Sequence, residues 1–97
     1  MKGDGLILVK TICIQYEVEY SFIEELQNYG LIVIHDEEND KYLEAERLTD
    51  LEKMIRLHQE LNINLEGIDV ILNLMEQIDH LKYELSAVKN RLLLLED

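Results

Sequence analysis

Apolar positions recur along this chain in two rhythms, and the turn-forming residues between them mark where one gives way to the other. Leu6–Val9 is a short apolar run that suits an edge strand, and Thr11–Tyr16, with Ile12 and Cys13 adjacent, predicts a short helix. Ser21 stands three residues before Glu24, the spacing of a capping box. The helix it would open places Phe22, Ile23, Leu26 and Tyr29 on or near one face, and Gly30 sits where a C′ residue would end it. Leu31–Ile34 is apolar and mostly β-branched, and Lys41-Tyr42-Leu43 comes after the polar run Asp36-Glu37-Glu38-Asn39-Asp40. The two segments predict a β-hairpin around a five-residue turn. Helical spacing resumes from about Ala45 to Leu61, through Leu48, Leu51, Met54, Ile55, Leu57 and His58 or Leu61. Asn62-Ile63-Asn64 interrupts it, and Asn64 is placed to cap the next helix.

The last segment, Leu65 to about Glu96, is the most regular. Leu74, Ile78, Leu81, Leu85, Val88, Leu92 and Leu95 alternate at spacings of four and three, a heptad seam with Ile78, Leu85 and Leu92 at a. Lys82, Lys89 and Glu96 fall at e, and Gln77, Glu84 and Arg91 at g; parallel and antiparallel pairings can both be drawn. At ~1.5 Å per residue such a helix is roughly 45 Å long, too long for a small domain of its own chain to cover. A second copy is the simplest cover, so these seven residues are the expected dimerisation face. The architecture expected is mainly α: residues 1–62 a winged helix-turn-helix with a small β-hairpin wing, residues 63–97 a long C-terminal coiled-coil helix. At 97 residues the chain has room for one small core, and oligomerisation would add stability.

Charge narrows the function classes. Nine Lys and Arg stand against 21 Asp and Glu, a net −12. Between Glu17 and Glu52 twelve carboxylates meet only Lys41 and Arg47, so that segment alone nets −10. Such a balance repels phosphate backbones and anionic membranes. A DNA-reading helix would carry Arg, Lys, Gln or Asn towards the bases. Here the second helix carries Glu24 and Glu25, and the wing turn carries four acids in five residues. That surface suits a basic protein partner, and Glu24, Glu25, Asp36, Glu37 and Glu38 are the candidate partner-binding residues.

Catalytic and metal chemistry find little support. His35, His58 and His80 are far apart and lack a ligand spacing, and the acidic turn lacks the EF-hand pattern. Cys13 has no second cysteine to pair with, which suits a reducing compartment, and it resembles a structural thiol more than a nucleophile. No catalytic residue, cofactor or metal is expected. Leu6–Val9 is too short for a signal-peptide core and no run suits a membrane span, so a cytoplasmic protein is expected.

The stretch Leu51–Ile68, continued through Leu72-Asn73-Leu74-Met75 to Lys82, resembles the CbpM chaperone-modulator family. The likeness is carried by Arg56-Leu57-x-x-Glu60-Leu61, Leu65-x-Gly67-Ile68 and Leu74-Met75-x-x-Ile78-x-His80-Leu81. It covers about a third of the chain well. Arginine–leucine and Gly-Ile features of this kind also occur in the broader MerR-type regulators. The resemblance implies a MerR-like fold and a regulator that binds the J-domain of a DnaJ- or CbpA-like co-chaperone, blocking its work with DnaK. J-domains engage DnaK through a basic helix, so an acidic surface would compete by charge. The alternative is a MerR-type DNA-binding regulator without an effector domain; a plain coiled-coil assembly module is a third. Gly67, in the first turn of the long helix, implies close approach of another helix.

Overall fold

The computed structural model describes residues 5–95. In chain order these form β1 (Leu6–Leu8), α1 (Val9–Tyr16), α2 (Tyr20–Asn28), β2 (His35–Glu37), β3 (Asp40–Glu44), a 3₁₀ turn (Ala45–Arg47), α3 (Leu48–Leu61) and α4 (Leu65–Leu95). The expected fold is present: a helix-turn-helix, a wing and a long last helix. Glu96, expected at an e position, lies outside the described residues.

α1 ends in a Schellman turn. The Val18 N–H reaches Cys13 O at 3.1 Å and the Glu17 N–H reaches Ile14 O at 3.4 Å, with Glu17 left-handed at φ 52°. Val18 is thereby turned into the core, and only Glu17–Glu19 separate the two helices. This tight link corrects the expected start of the second helix. The cap position is Glu19, whose side chain makes no capping bond, and Ser21 lies inside the first turn with Oγ 3.5 Å from Glu19 Oε1. The far end matches expectation. Gly30 is left-handed at φ 79°, and Leu31 N–H to Leu26 O and Gly30 N–H to Gln27 O, both 2.9 Å, complete a second Schellman turn.

The wing differs in register from the expected hairpin. Leu31–Ile34 is extended, with Ile32 and Ile34 buried and Val33 exposed, but it joins no ladder. The strand is His35–Glu37, paired antiparallel with β3 as His35↔Tyr42, Asp36↔Lys41 and Glu37↔Asp40. The turn therefore has two residues, Glu38 and Asn39, at φ 52° and 68°. Two successive positive φ values are the signature of a type I′ turn, whose twist matches that of the strands. β3 is the central strand, since β1 takes its other edge in the order β1-β3-β2.

The core gathers Val9 and Ile12 of α1, Phe22, Ile23 and Leu26 of α2, Leu43 of β3, and Leu51, Met54 and Ile55 of α3. Ile68 of α4 is fully buried in the same core and Leu72 packs against it. Asn64 caps α4 as expected, its Oδ1 accepting the Gly67 N–H at 2.8 Å. Gly67 itself is corrected. What lies close is not another helix but the chain's own entry turn: a Cβ here would stand 2.7 Å from Ile63 Cγ2 and 3.1 Å from Asn64 Oδ1. Met75, Glu76 and Asp79 still line a cleft with Arg47, Asp50 and Lys53; beyond Asp79 the helix leaves the body, and the molecule measures 61 × 36 × 21 Å. All seven seam residues are 43–82% exposed.

Candidate functional site

The short α1–α2 link fixes α2 across the body, so its buried Phe22, Ile23 and Leu26 leave Glu24 and Glu25 facing solvent. The two carboxylates serve different neighbourhoods. Glu24 acts on Lys41 of the wing, where a hydrogen bond to Asp36, aided by the charges of Asp36, Tyr20 and Glu24, lifts the ammonium above its ordinary range. The Lys41–Asp36 pair is 2.5 Å long and directly cross-strand. Glu24, Asp36 and Lys41 thus belong to one face, formed by α2 and the wing together. Glu25 lies one turn before Tyr29, on the side of α2 that meets α4. There desolvation first, and then Glu66, Asp69 and Glu25, raise the phenol pKa of Tyr29. Glu37 and Glu38 lie at the wing tip, Glu38 exposed and Glu37 partly so. The five candidate residues are therefore divided: Glu24 and Asp36 meet at Lys41, Glu37 and Glu38 stand at the wing tip, and Glu25 lies towards α4.

α2 has the sequence Tyr-Ser-Phe-Ile-Glu-Glu-Leu-Gln-Asn and no cation at all. The wing holds one, Lys41, already bound to Asp36. Lys10 of α1 is also engaged, 3.5 Å from Asp40. A phosphate backbone approaching α2 and the wing would meet carboxylates, with its few cations pre-paired.

One feature here escaped sequence reasoning. α1 and the wing tip enclose an open groove of about 520 Å³ lined by Val9, Lys10, Cys13, Ile14, Tyr20 and Asn39–Lys41. Its clue is Ile14, an apolar residue off the stripe that Val9, Ile12 and Tyr16 turn inward, and 77% exposed. Burial pushes the Cys13 thiol up, away from the thiolate that nucleophilic chemistry would need.

The histidines fill structural positions. His58 stacks on Phe22 with ring centroids 4.3 Å apart, and its Nδ1 is 3.3 Å from Ile63 O. His35 Nε2 is 3.3 Å from Glu44 across the sheet, and His80 Nε2 is 2.9 Å from Glu84 one turn on. Among the described residues no three His, Cys, Asp or Glu side chains are grouped to hold a metal ion, and no helix is long and apolar enough to cross a membrane.

Comparison with known proteins agrees with this architecture. The chain is similar to proteins named chaperone modulatory protein CbpM. That of Pseudomonas entomophila (strain L48) is 27% identical over 85 residues, which cover 87% of this chain and 84% of the relative. Those of Pseudomonas putida strains W619 and KT2440 are 25% and 26% identical over the same lengths. No solved structure matches significantly. The model of the MerR HTH family of regulatory proteins matches residues 7–90, taking in the helix-turn-helix, the wing and most of α4, and the chain belongs to that family.

Proposed function

We propose that this protein is a non-enzymatic modulator that binds the J-domain of a DnaJ- or CbpA-like co-chaperone through its acidic α2–wing face and restrains the co-chaperone's work with DnaK. The observation that carries the reading is a helix-turn-helix whose second helix has no cation and whose wing cation is held by Asp36. A face of that sign attracts a basic protein surface and repels nucleic acid. The chaperone-modulator names of its relatives support the same reading. Glu24, Asp36, Glu37 and Glu38 are the contacts proposed on that face, with Glu25 on its flank. The protein acts in the cytoplasm as a homodimer joined through Leu74, Ile78, Leu81, Leu85, Val88, Leu92 and Leu95.

The test is calorimetric titration against J-domains of the same host at low and moderate salt. Saturable binding that weakens as salt rises is expected, because opposite charges draw the partners together. No binding to any of them would overturn the reading. The family's DNA-binding architecture favours one alternative, a transcriptional regulator, and a sequence-specific footprint at physiological salt would establish it.

A further inference from the structure

The groove between α1 and the wing has a composition unlike the face around it. Val9 and Cys13 are one helical turn apart on α1, as are Lys10 and Ile14, so this side of the helix offers an apolar floor with one cation at its edge. Tyr20 closes one end of the floor and Asn39–Lys41 of the wing form the far wall. Both lysines of the lining already have carboxylate partners, Lys10 with Asp40 and Lys41 with Asp36. Glu24 stands close enough to add to the field at Lys41, and Glu17 and Glu19 lie on the link joining α1 to α2. The apolar floor is thus edged by two lysines, Lys10 and Lys41, whose charge is outweighed by the three carboxylates acting on them, Asp40, Asp36 and Glu24.

Ile14 needs a separate explanation. A β-branched side chain on an exposed helix face adds nothing to helix stability, and here it is not part of the core. The groove's volume lies within the roughly 300–1,000 Å³ of sites that enclose small ligands. Its own chemistry argues against several occupants. β2 covers one edge of Asp40 and Lys41 and β1 stops at Tyr42, so the far wall leaves a free edge of only these two residues, too short for an extended peptide to join as a strand. Nucleic acid would find carboxylates where it needs cations. An amphipathic helix satisfies both parts of the site, because its apolar side chains at i, i+3 and i+4 project together while Lys and Arg flank them.

We propose that this groove is the anchor site for the apolar face of a basic amphipathic helix on the partner protein, with Ile14 and Tyr20 as its main apolar contacts. The proposal rests on the modulator reading above and divides the labour within it. The carboxylate rim governs encounter and salt dependence, and the groove governs how long the complex lasts.

The experiment measures binding kinetics of the full chain against a host J-domain, with amide chemical shifts of the labelled protein recorded in parallel. Ile14→Glu should weaken binding about tenfold or more, chiefly through faster dissociation. Glu24→Gln should slow association and flatten the salt dependence. Val33→Glu, exposed and outside the groove, serves as the control, and circular dichroism verifies that each variant is folded. Shifts should centre on Val9–Ile14 and Tyr20. Wild-type affinity in Ile14→Glu, or shifts that avoid α1, would overturn the anchor site while leaving the modulator reading standing. Loss of self-association in Ile14→Glu would overturn it too, by making a second copy the occupant. If the wild-type protein binds no J-domain, the modulator reading falls, and a synthetic Lys/Leu amphipathic helical peptide becomes the probe. Groove-centred shifts with that peptide would sustain the anchor site, and their absence would end it.

Discussion

Two residues occupy the same backbone position in the same motif, and chemistry suits only one of them. Gly30 and Glu17 are the left-handed residues of the Schellman turns that end α2 and α1, at φ 79° and 52°. A side chain there costs about 1–2 kcal/mol, which glycine avoids at some expense in chain entropy. Gly30→Ala should therefore destabilise the protein by about 1 kcal/mol, and Glu17→Gly should stabilise it by up to about 1 kcal/mol. Paired urea unfolding curves measure both. Gly67 inverts the usual rule for helices, in which Ala improves on Gly by about 1 kcal/mol. Its added Cβ would press on Ile63 Cγ2, a β-branched side chain with little rotamer freedom, and on the capping oxygen of Asn64. A lost N-cap costs about 1 kcal/mol, so Gly67→Ala should lower stability by about that much instead of raising it. A higher melting temperature for this variant would show that Ile63 yields.

At the scale of elements, α1 is held to α3 by polar ties as well as by the core. The Tyr16 hydroxyl donates to Glu52, and Gln59 Nε2 donates to the carbonyls of Tyr16 and Glu17 at 3.2 and 3.0 Å, satisfying the end of α1. The hydrogen bond to Glu52, then desolvation and the charge of Glu52, raise the Tyr16 pKa. A phenol raised in the folded state contributes stability that is fully present below the ordinary tyrosine range and is lost as pH climbs through and above about 10. Stability measured between about pH 8 and 11 should fall, and Tyr16→Phe should make that fall shallower. Tyr29 and Lys41, raised in the same direction, account for a remainder. An unchanged slope in Tyr16→Phe would show that this tie does not carry the pH dependence. None of these long-range pairs can be read from spacing, because each joins residues 36 to 43 positions apart. What the sequence does announce is local: Gly30, Asn64 and the heptad of α4 act on neighbours three to seven residues away. The wing shows where that stops. Leu31–Ile34 has the composition of a strand and is extended, yet burial of Ile32 and Ile34 holds it against the core, and the polar His35–Glu37 takes the place beside β3. Position relative to the core decided the pairing there, not β propensity. The acidic face was legible from charge alone, whereas the groove was not, since it exists only once the wing folds back beside α1.

The whole molecule presents two proposed surfaces that should respond to salt in opposite directions, which would separate partner binding from self-association. The carboxylate face should lose affinity for a basic partner as ions screen it. The α4 seam is apolar, and two copies bring together chains of −12 each, so salt should relieve their repulsion and favour the dimer. Burying the half-exposed seam side chains of both copies yields on the order of 10 kcal/mol, comparable with the roughly 4–15 kcal/mol that association costs. The dimer is therefore expected to dissociate on dilution, and sedimentation equilibrium over a range of concentrations should show a mass that rises with protein and with salt. Leu85→Asp and Leu92→Asp place charge at two a positions and should leave a monomer throughout. Both residues lie beyond Asp79, after which α4 leaves the body, so these variants should keep the globular fold and bind a J-domain with the intrinsic affinity of the wild type. A mass unchanged by the two substitutions would refute the seam as the interface. Binding lost together with the dimer would show instead that the partner site is shared between two copies.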